Sequence, residues 1–162
     1  MTQEHRAIID RIRAAGAAVR RALEAVPADR HGQASRDGGW SAHETLTHLR
    51  DAAVFVHGLR IRRLFYETDP VFADFDEEAY RRASLARGES TRDLQHTVVA
   101  EHEQIARLLA TLPDAEWGRQ GCHPSLGAMS VELLARRMAE HAEEHAAQIA
   151  ASAGSQPSGS GA

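Results

Sequence analysis

The stretch SVELLARRMAEHAEEHAAQIA, residues 130–150, decides the fold. Its apolar positions recur at alternating spacings of four and three from Leu134 and Met138, as in a helix that packs one face into a bundle. Ser130 is a favourable N-cap residue. These features predict a helix that begins after Ser130 and ends near Ala151.

Two histidines continue that apolar row. His141 follows Met138 at a spacing of three, and His145 follows one helical turn later. Side chains four residues apart lie on the same side of a helix, which suits two imidazoles on one metal ion. The second position of the zincin motif requires glutamate, but Ala142 stands there, so a metalloprotease is disfavoured. The alternative is a pair of solvated histidines, although a core position argues against it because an unpaired buried polar group costs about 1–3 kcal/mol.

Three further segments show helical periodicity. They run from about Gln3 to Val26, from a capping box at Ser41 and Glu44 to about Tyr66, and from about Thr91 to Leu112. Residues 76–86 are expected to form a short helix within a looser region, and residues 114–129 a loop. Four long amphipathic helices predict an all-α four-helix bundle. We expect one domain over residues 1–151 and a disordered Gly/Ser-rich tail over 152–162.

Composition and charge argue against several classes of function. The chain of 162 residues has a formal net charge of -4, which argues against a nucleic-acid partner. The single cysteine, Cys122, allows neither an internal disulfide nor a cysteine-based zinc site. The first residues lack the apolar segment of a signal peptide, and no stretch reaches the roughly 18 apolar residues of a membrane span. We therefore expect a cytoplasmic protein without membrane association.

His48, in the second helix, is a candidate third ligand. A long helix in a bundle can bring it to the level of the histidine pair, whereas a lone histidine there would more simply bond a neighbour at the edge of the core. His43 and His57 are less well placed, since His57 lies about half a turn of rotation from His48 on a regular helix. His96 and His102 are expected at the surface.

Three blocks of sequence resemble a known family. The block WSAHETLTHLRD, residues 40–51, resembles the second-helix signature of the DinB-like (YfiT-like) metal-binding superfamily. The block HAEEHAAQI, residues 141–149, resembles its last helix. The block GCHPSLG, residues 121–127, is similar to the segment that precedes that helix in many members. The blocks occur in the family's order and span most of the chain from 40 to 149.

This resemblance implies an up-down-down-up four-helix bundle with His48, His141 and His145 as metal ligands. The ion would be divalent, zinc or nickel first and iron or manganese as alternatives, with water in the open positions. Members of known activity are mostly S-transferases or isomerases that use a low-molecular-weight thiol such as bacillithiol or mycothiol. A small-molecule substrate and a homodimer are implied in the same way.

Two carboxylates are candidates for catalytic roles around the metal. Asp51 lies one turn beyond His48 and could accept the hydrogen bond that orients an imidazole, although a solvated carboxylate is an equal alternative. Glu101 occupies an apolar-stripe position and could be an outer acceptor, a fourth ligand or a general base, unless it lies at the surface. Cys122 is more typical of a small buried residue than of a reactive thiol, and His123 has no assigned role.

Three functions fit these patterns. A divalent ion bound by three neutral imidazoles keeps its full charge and at least one exchangeable coordination position. This arrangement favours an enzyme that activates water or a thiol, either a thiol transferase or a hydrolase. A metal-binding or stress-response protein without turnover is the main alternative. A structural bundle, whose histidines bond one another, is the third. The substrate pocket is expected to be lined from residues 70–90.

Overall fold

The computed structural model describes residues 1–35 and 38–153 of the chain. The helices of this part are α1 (Gln3–Glu24), α2 (Ala42–Asp51), α3 (Leu59–Tyr66), α4 (Glu77–Ala86), α5 (Thr91–Ala110) and α6 (Val131–Ala153). A π-helical turn, Ala52–Gly58, joins α2 to α3 without a break, so the two form one long helix. In the described part of the chain, no helix combines the length and apolar character that crossing a membrane requires.

Polar contacts between neighbouring helices fix their directions. Between parallel helices, the residue numbers of successive contact pairs rise together. Between antiparallel helices, one residue number rises while the other falls. The pairs are Glu4–Arg136 and Arg11–Glu143 between α1 and α6, Arg13–Glu103 and Arg20–Gln95 between α1 and α5, and His43–Thr91 and Arg62–Glu101 between α2–α3 and α5. Thus α1 and α6 run one way and α2–α3 and α5 the other. The predicted all-α up-down-down-up bundle is confirmed.

The predicted apolar rows form the core between these helices. In α1 the buried row is Ile8, Ile12, Ala15, Val19 and Ala22, and in α6 it begins with Leu134 and Met138. Burial of each large aliphatic side chain stabilises the fold by about 1.5–3 kcal/mol. His141 and His145 are half-buried, so the polar continuation of the α6 row lies at the edge of the core.

Helix ends agree with the sequence to within a turn. Ser41 and Glu44 form the predicted capping box, in which each side chain accepts from the other's backbone N–H, at 3.1 and 3.0 Å. The first helix ends at Glu24 rather than Val26. The last helix continues to Ala153, two residues beyond the predicted end. The predicted disordered tail lies, from residue 154 on, outside the described residues.

The segment predicted as a loop contains a small sheet, which is a correction. Strand β1 (Gln120–His123) pairs antiparallel with β2 (Gly127–Ser130). Each strand has four residues and lacks the alternating β-branched pattern by which strands are recognised, so the pairing left no signal. The backbone N–H of Phe72 donates to the carbonyl oxygen of Cys122 at 2.8 Å and so attaches the chain before α4 to the hairpin.

Candidate metal centre

Three imidazoles meet where α2 crosses α6. Nε2 of His141 lies 3.1 Å from Nε2 of His48 and 3.1 Å from Nε2 of His145. One nitrogen from each ring lies within 4.8 Å of the others. Helix α6 contributes two rings one turn apart on one face, and the antiparallel helix α2 contributes the third. The structure therefore brings the three residues predicted as ligands to one point.

These contacts fit a metal ion better than a set of hydrogen bonds. A neutral imidazole Nε2 carries either one proton or one lone pair, so Nε2 of His141 can make one of its two 3.1 Å contacts as a hydrogen bond but not both. With metal–nitrogen bonds of about 2.0–2.1 Å, nitrogen ligands stand roughly 2.9 Å apart at an octahedral right angle and roughly 3.4 Å apart in a tetrahedron. The two separations from Nε2 of His141, both 3.1 Å, lie between these values. The donor set thus fits a divalent cation.

Acceptor oxygens on the far sides of two rings favour one tautomer of each. Nδ1 of His48 lies 3.0 Å from Oε1 of Glu77, and Nδ1 of His145 lies 2.8 Å from Oε1 of Gln148. These oxygens only accept, so they favour a proton on Nδ1 in both rings. Nδ1 of His145 donates it to Gln148, and Nδ1 of His48 lies in polar contact with Glu77. The Nε2 lone pairs then face the shared centre, which is the protonation state that metal ligation requires.

Burial keeps the imidazoles of His48 and His141 neutral. Burial, followed by the neighbouring His145, lowers the pKa of His48, while the charges of Glu77 and Asp51 oppose that effect. Burial, followed again by His145, lowers the pKa of His141 to about 3. Because a protonated imidazole cannot bind a metal, these depressed values leave both rings available as ligands at neutral pH.

The carboxylate beside His48 is one that sequence reasoning missed. Glu77 is the first residue of α4, and its only signal was an acidic run at a predicted helix start. Asp51, the predicted orienting carboxylate, is buried, and its Oδ1 accepts from Nε of Arg50 at 2.8 Å. Its Oδ2 has no hydrogen-bond partner among the described residues. Asp51 therefore acts on His48 through its charge, and Glu77 through a direct contact.

Glu101 is buried, so the alternative that it lies at the surface was wrong. Its Oε2 accepts from Nη2 of Arg62 at 2.9 Å, and this ion pair ties α5 to α3. Gly58 makes room for the carboxylate, because a Cβ at that position would lie 1.9 Å from Oε1 of Glu101. In the described part of the chain, the cluster of potential ligands comprises the three histidines without Glu101.

Two other histidines lie where the sequence did not place them. His102, expected at the surface, is buried, and its Nδ1 donates to the carbonyl oxygen of Val98 at 2.8 Å. The reason is Gly16 on α1, since a Cβ there would lie 3.0 Å from Cβ of His102. The ring of His57 lies 5.5 Å, centroid to centroid, from that of His141. The π-helical turn rotates His57 relative to α2, which a regular 3.6-residue period did not anticipate.

The hairpin residues Cys122 and His123 differ in burial. Cys122 is exposed, so its interpretation as a small buried residue was wrong. His123 is buried, and its Nδ1 accepts from the backbone N–H groups of Ser125 and Leu126, both at 3.3 Å. This histidine therefore closes the turn between the two strands.

A cavity of about 150 Å³ lies beside α4 and takes part of its lining from the segment where a pocket was expected. It is lined by Phe55, Leu59, Arg60, Arg63, Phe72, Ala73, Asp74, Phe75 and Tyr80. Helix α4 connects it to the metal centre, since Glu77 contacts His48 and Tyr80, one turn later, packs on Phe55 with ring centroids 5.4 Å apart. The guanidinium of Arg60 is buried and donates to a backbone carbonyl oxygen rather than to a carboxylate.

Comparisons with known proteins agree with this architecture. A protein of Geobacillus thermodenitrificans named "Putative metal-dependent hydrolase" is 28% identical over 115 residues, which cover 70% of this chain but only 64% of that protein. YfiT from Bacillus subtilis, described as a probable metal-dependent hydrolase with an unusual four-helix bundle topology, has the same fold. It matches with a TM-score of 0.76 at 21% identity and covers 92% of this chain and 87% of its own. The sequence model of the DinB superfamily matches residues 11–149, and the chain therefore belongs to that superfamily.

Proposed function

We propose that this protein is a divalent-metal-dependent enzyme acting on a small molecule, with His48, His141 and His145 as its metal ligands. The observation that carries the proposal is the convergence of three Nε2 atoms, two of them on rings whose Nδ1 atoms contact outer acceptors. Solvated histidines would not need outer acceptors such as Glu77 and Gln148 to hold one tautomer. The names of the two relatives, both described as metal-dependent hydrolases, support the same class.

Zinc or nickel is the proposed ion, with iron or manganese as alternatives, since neutral imidazole is a suitable ligand for zinc, nickel and iron. When bound, such an ion would supply a nucleophile by lowering the pKa of water or of a thiol towards neutrality. Glu77 and Gln148 would keep two of the rings oriented. Asp51 would support the cationic site through its buried charge. Glu101 would act as a positioning residue by holding Arg62 and α3 against α5.

The cavity beside α4 is the proposed site for part of the substrate. Its aromatic walls offer an apolar surface, and the buried guanidinium of Arg60 favours an anionic group. In its finer form, the proposal assigns thiol S-transfer with a low-molecular-weight thiol such as bacillithiol or mycothiol, on the strength of the family resemblance. Hydrolysis of a small electrophile is the other reaction that the same ligands support. A cytoplasmic homodimer without a nucleic-acid partner completes the proposal.

Metal analysis tests the ligand assignment directly. Protein purified without a polyhistidine tag should contain about one equivalent of a divalent metal, or take it up from added zinc or nickel. His145→Ala should hold less than about a tenth of an equivalent. His96→Ala is the matched control because His96 is exposed on α5, and it should bind as the wild type does. A wild-type protein that neither contains nor takes up metal would refute the proposed site.

Turnover separates the enzyme from a metal-binding or stress-response protein. The metal-loaded protein should transfer a low-molecular-weight thiol to, or hydrolyse, members of a panel of small electrophiles, and His141→Ala should abolish that activity. Tight metal binding with neither thiol transfer nor hydrolysis across the panel would instead support the non-catalytic alternative.

A further inference from the structure

The third ligand ring lacks the outer partner that the other two have. If His141 binds metal through Nε2, its Nδ1 must carry a proton. That atom is buried and has no hydrogen-bond partner in the described part of the chain. A buried N–H without an acceptor costs about 1–3 kcal/mol, and such groups are rare in folded proteins. An acceptor for His141 is therefore required.

His57 offers a matching unsatisfied atom. Its Nδ1 is also buried and without a partner among the described residues. The two rings are neighbours, with centroids 5.5 Å apart and planes inclined by 54°. The Nδ1 atoms of His48 and His145 are already engaged by Glu77 and Gln148, so neither can serve His141.

The two unsatisfied atoms are chemically complementary. A neutral imidazole has one N–H and one nitrogen lone pair, so it can donate from one nitrogen and accept at the other. His141 must donate from Nδ1 in order to ligate through Nε2. His57 can accept at Nδ1 when its own proton lies on Nε2. Because the two atoms do not bond each other directly, the link requires one bridging water, and a buried water needs two or more polar partners of this kind.

The local backbone explains why His57 occupies this place. It lies in the π-helical turn Ala52–Gly58, and such turns occur frequently at functional sites. The next residue, Gly58, is held against the carboxylate of Glu101, with no room for a side chain. This close packing restrains the turn that carries the His57 ring.

We infer that His57 is a positioning residue for the metal centre, accepting at Nδ1 a hydrogen bond from one buried water that in turn accepts from Nδ1 of His141. This role, which rests on the proposed metal site, completes an outer acceptor for each of the three ligand rings. His57 does not itself bind the ion.

Zinc affinity of three proteins tests the role. His57→Leu removes the acceptor, whereas His57→Asn places an amide oxygen near the position of Nδ1. In competition with a chromophoric chelator at neutral pH, we expect His57→Leu to bind zinc about 10–100-fold more weakly than the wild type, the usual effect of losing an outer partner. His57→Asn should recover most of that loss, and His96→Leu should bind as the wild type does.

The stability of the metal-free proteins separates positioning from packing. A packing role alone would lower the unfolding free energy of His57→Leu and leave its zinc affinity unchanged. Zinc affinity of His57→Leu within about twofold of the wild type would overturn the inference, because an outer partner contributes at least tenfold. A His57→Asn protein that binds zinc as weakly as His57→Leu would also overturn the inference.

A measurement on the unaltered protein covers the case in which His57→Leu does not fold. In the zinc-loaded wild type, two-bond ¹H–¹⁵N correlation spectra should show His141 protonated at Nδ1 and His57 protonated at Nε2. A proton on Nδ1 of His57 would overturn the inference while leaving the metal site intact. A wild type that binds neither zinc nor any other divalent metal would refute the proposed function, and the inference with it.

Discussion

Replacing Gly58 by alanine should destabilise the protein, although alanine is the better helix former. The added Cβ would lie 1.9 Å from Oε1 of Glu101, 2.7 Å from the carbonyl oxygen of Ala53 and 2.9 Å from Nη1 of Arg62. The first clash displaces a buried carboxylate from its guanidinium partner. The second involves the backbone of the π-helical turn, which cannot rotate away as a side chain can.

The expected change in unfolding free energy combines two destabilising contributions and one stabilising contribution. Losing a charge-assisted hydrogen bond costs about 1.5–3 kcal/mol, and overpacking costs about 1–3 kcal/mol. The higher helix propensity of alanine returns about 1 kcal/mol. The free energy of unfolding of Gly58→Ala should therefore fall by about 1.5–5 kcal/mol.

Urea unfolding of the metal-free protein measures this change, with the slope m checked for constancy. Gly118→Ala is the matched control, because a Cβ at Gly118 has no atom within 4 Å, and its effect should be within about 0.5 kcal/mol of zero. In a Glu101→Ala background the same Gly58→Ala change should cost at least about 1 kcal/mol less, since its main clash is gone. An equal cost in both backgrounds, or no cost in the wild type, would refute this account of the turn.

Three further predictions concern the metal centre and a buried histidine. Glu77→Ala should weaken zinc binding about tenfold in the chelator assay, because His48 loses its acceptor, whereas Glu78→Ala should not change it. Zinc at about 100 times its dissociation constant should raise the unfolding free energy of the wild type by about 2.7 kcal/mol, and equal stability with and without zinc would count against the site. Burial lowers the pKa of His102 below its ordinary 6.5, so the unfolded chain binds this proton more readily and stability is lost as pH falls below 6.5. His102→Leu should lower that loss by up to about 1.4 kcal/mol per pH unit in urea titrations of the metal-free protein, and parallel pH profiles for the two proteins would contradict it.

Local patterns predicted what local interactions determine. The capping box at Ser41 and the apolar row of α6 are short-range features, and the structure contains both at the predicted positions. The β1–β2 hairpin is short and is stabilised by contact with the segment around Phe72, about fifty positions away in the chain. The periodicity of one segment does not indicate a partner that is distant in the chain, so a loop was expected.

In the metal centre too, residues placed by one helix were predictable and those from separate elements were not. The pair His141 and His145 follows from the row in which they stand, because one helix places both. The acceptors differ: Gln148 lies on the same helix and could be read from the sequence, whereas Glu77 comes from a separate short helix. Sequence spacing thus identifies ligands more readily than the groups that orient them.

The π-helical turn accounts for the unexpected position of His57 beside the metal centre. On a regular helix, His57 lies about half a turn from His48 and faces away from the last helix. The turn Ala52–Gly58 widens the helix and brings the ring of His57 beside His141. A π-helical turn is rare in α-helices, and an uncommon local backbone persists where surrounding contacts over-determine it. Here the space left by Gly58 is filled by the ion pair of Glu101 with Arg62, so a buried carboxylate that binds no ligand helps to set the geometry around a ligand ring. The packing of Gly58 against Glu101 and the position of the His57 ring are therefore linked through the same turn. A Gly58→Ala protein that still folds should consequently also bind zinc more weakly than the wild type.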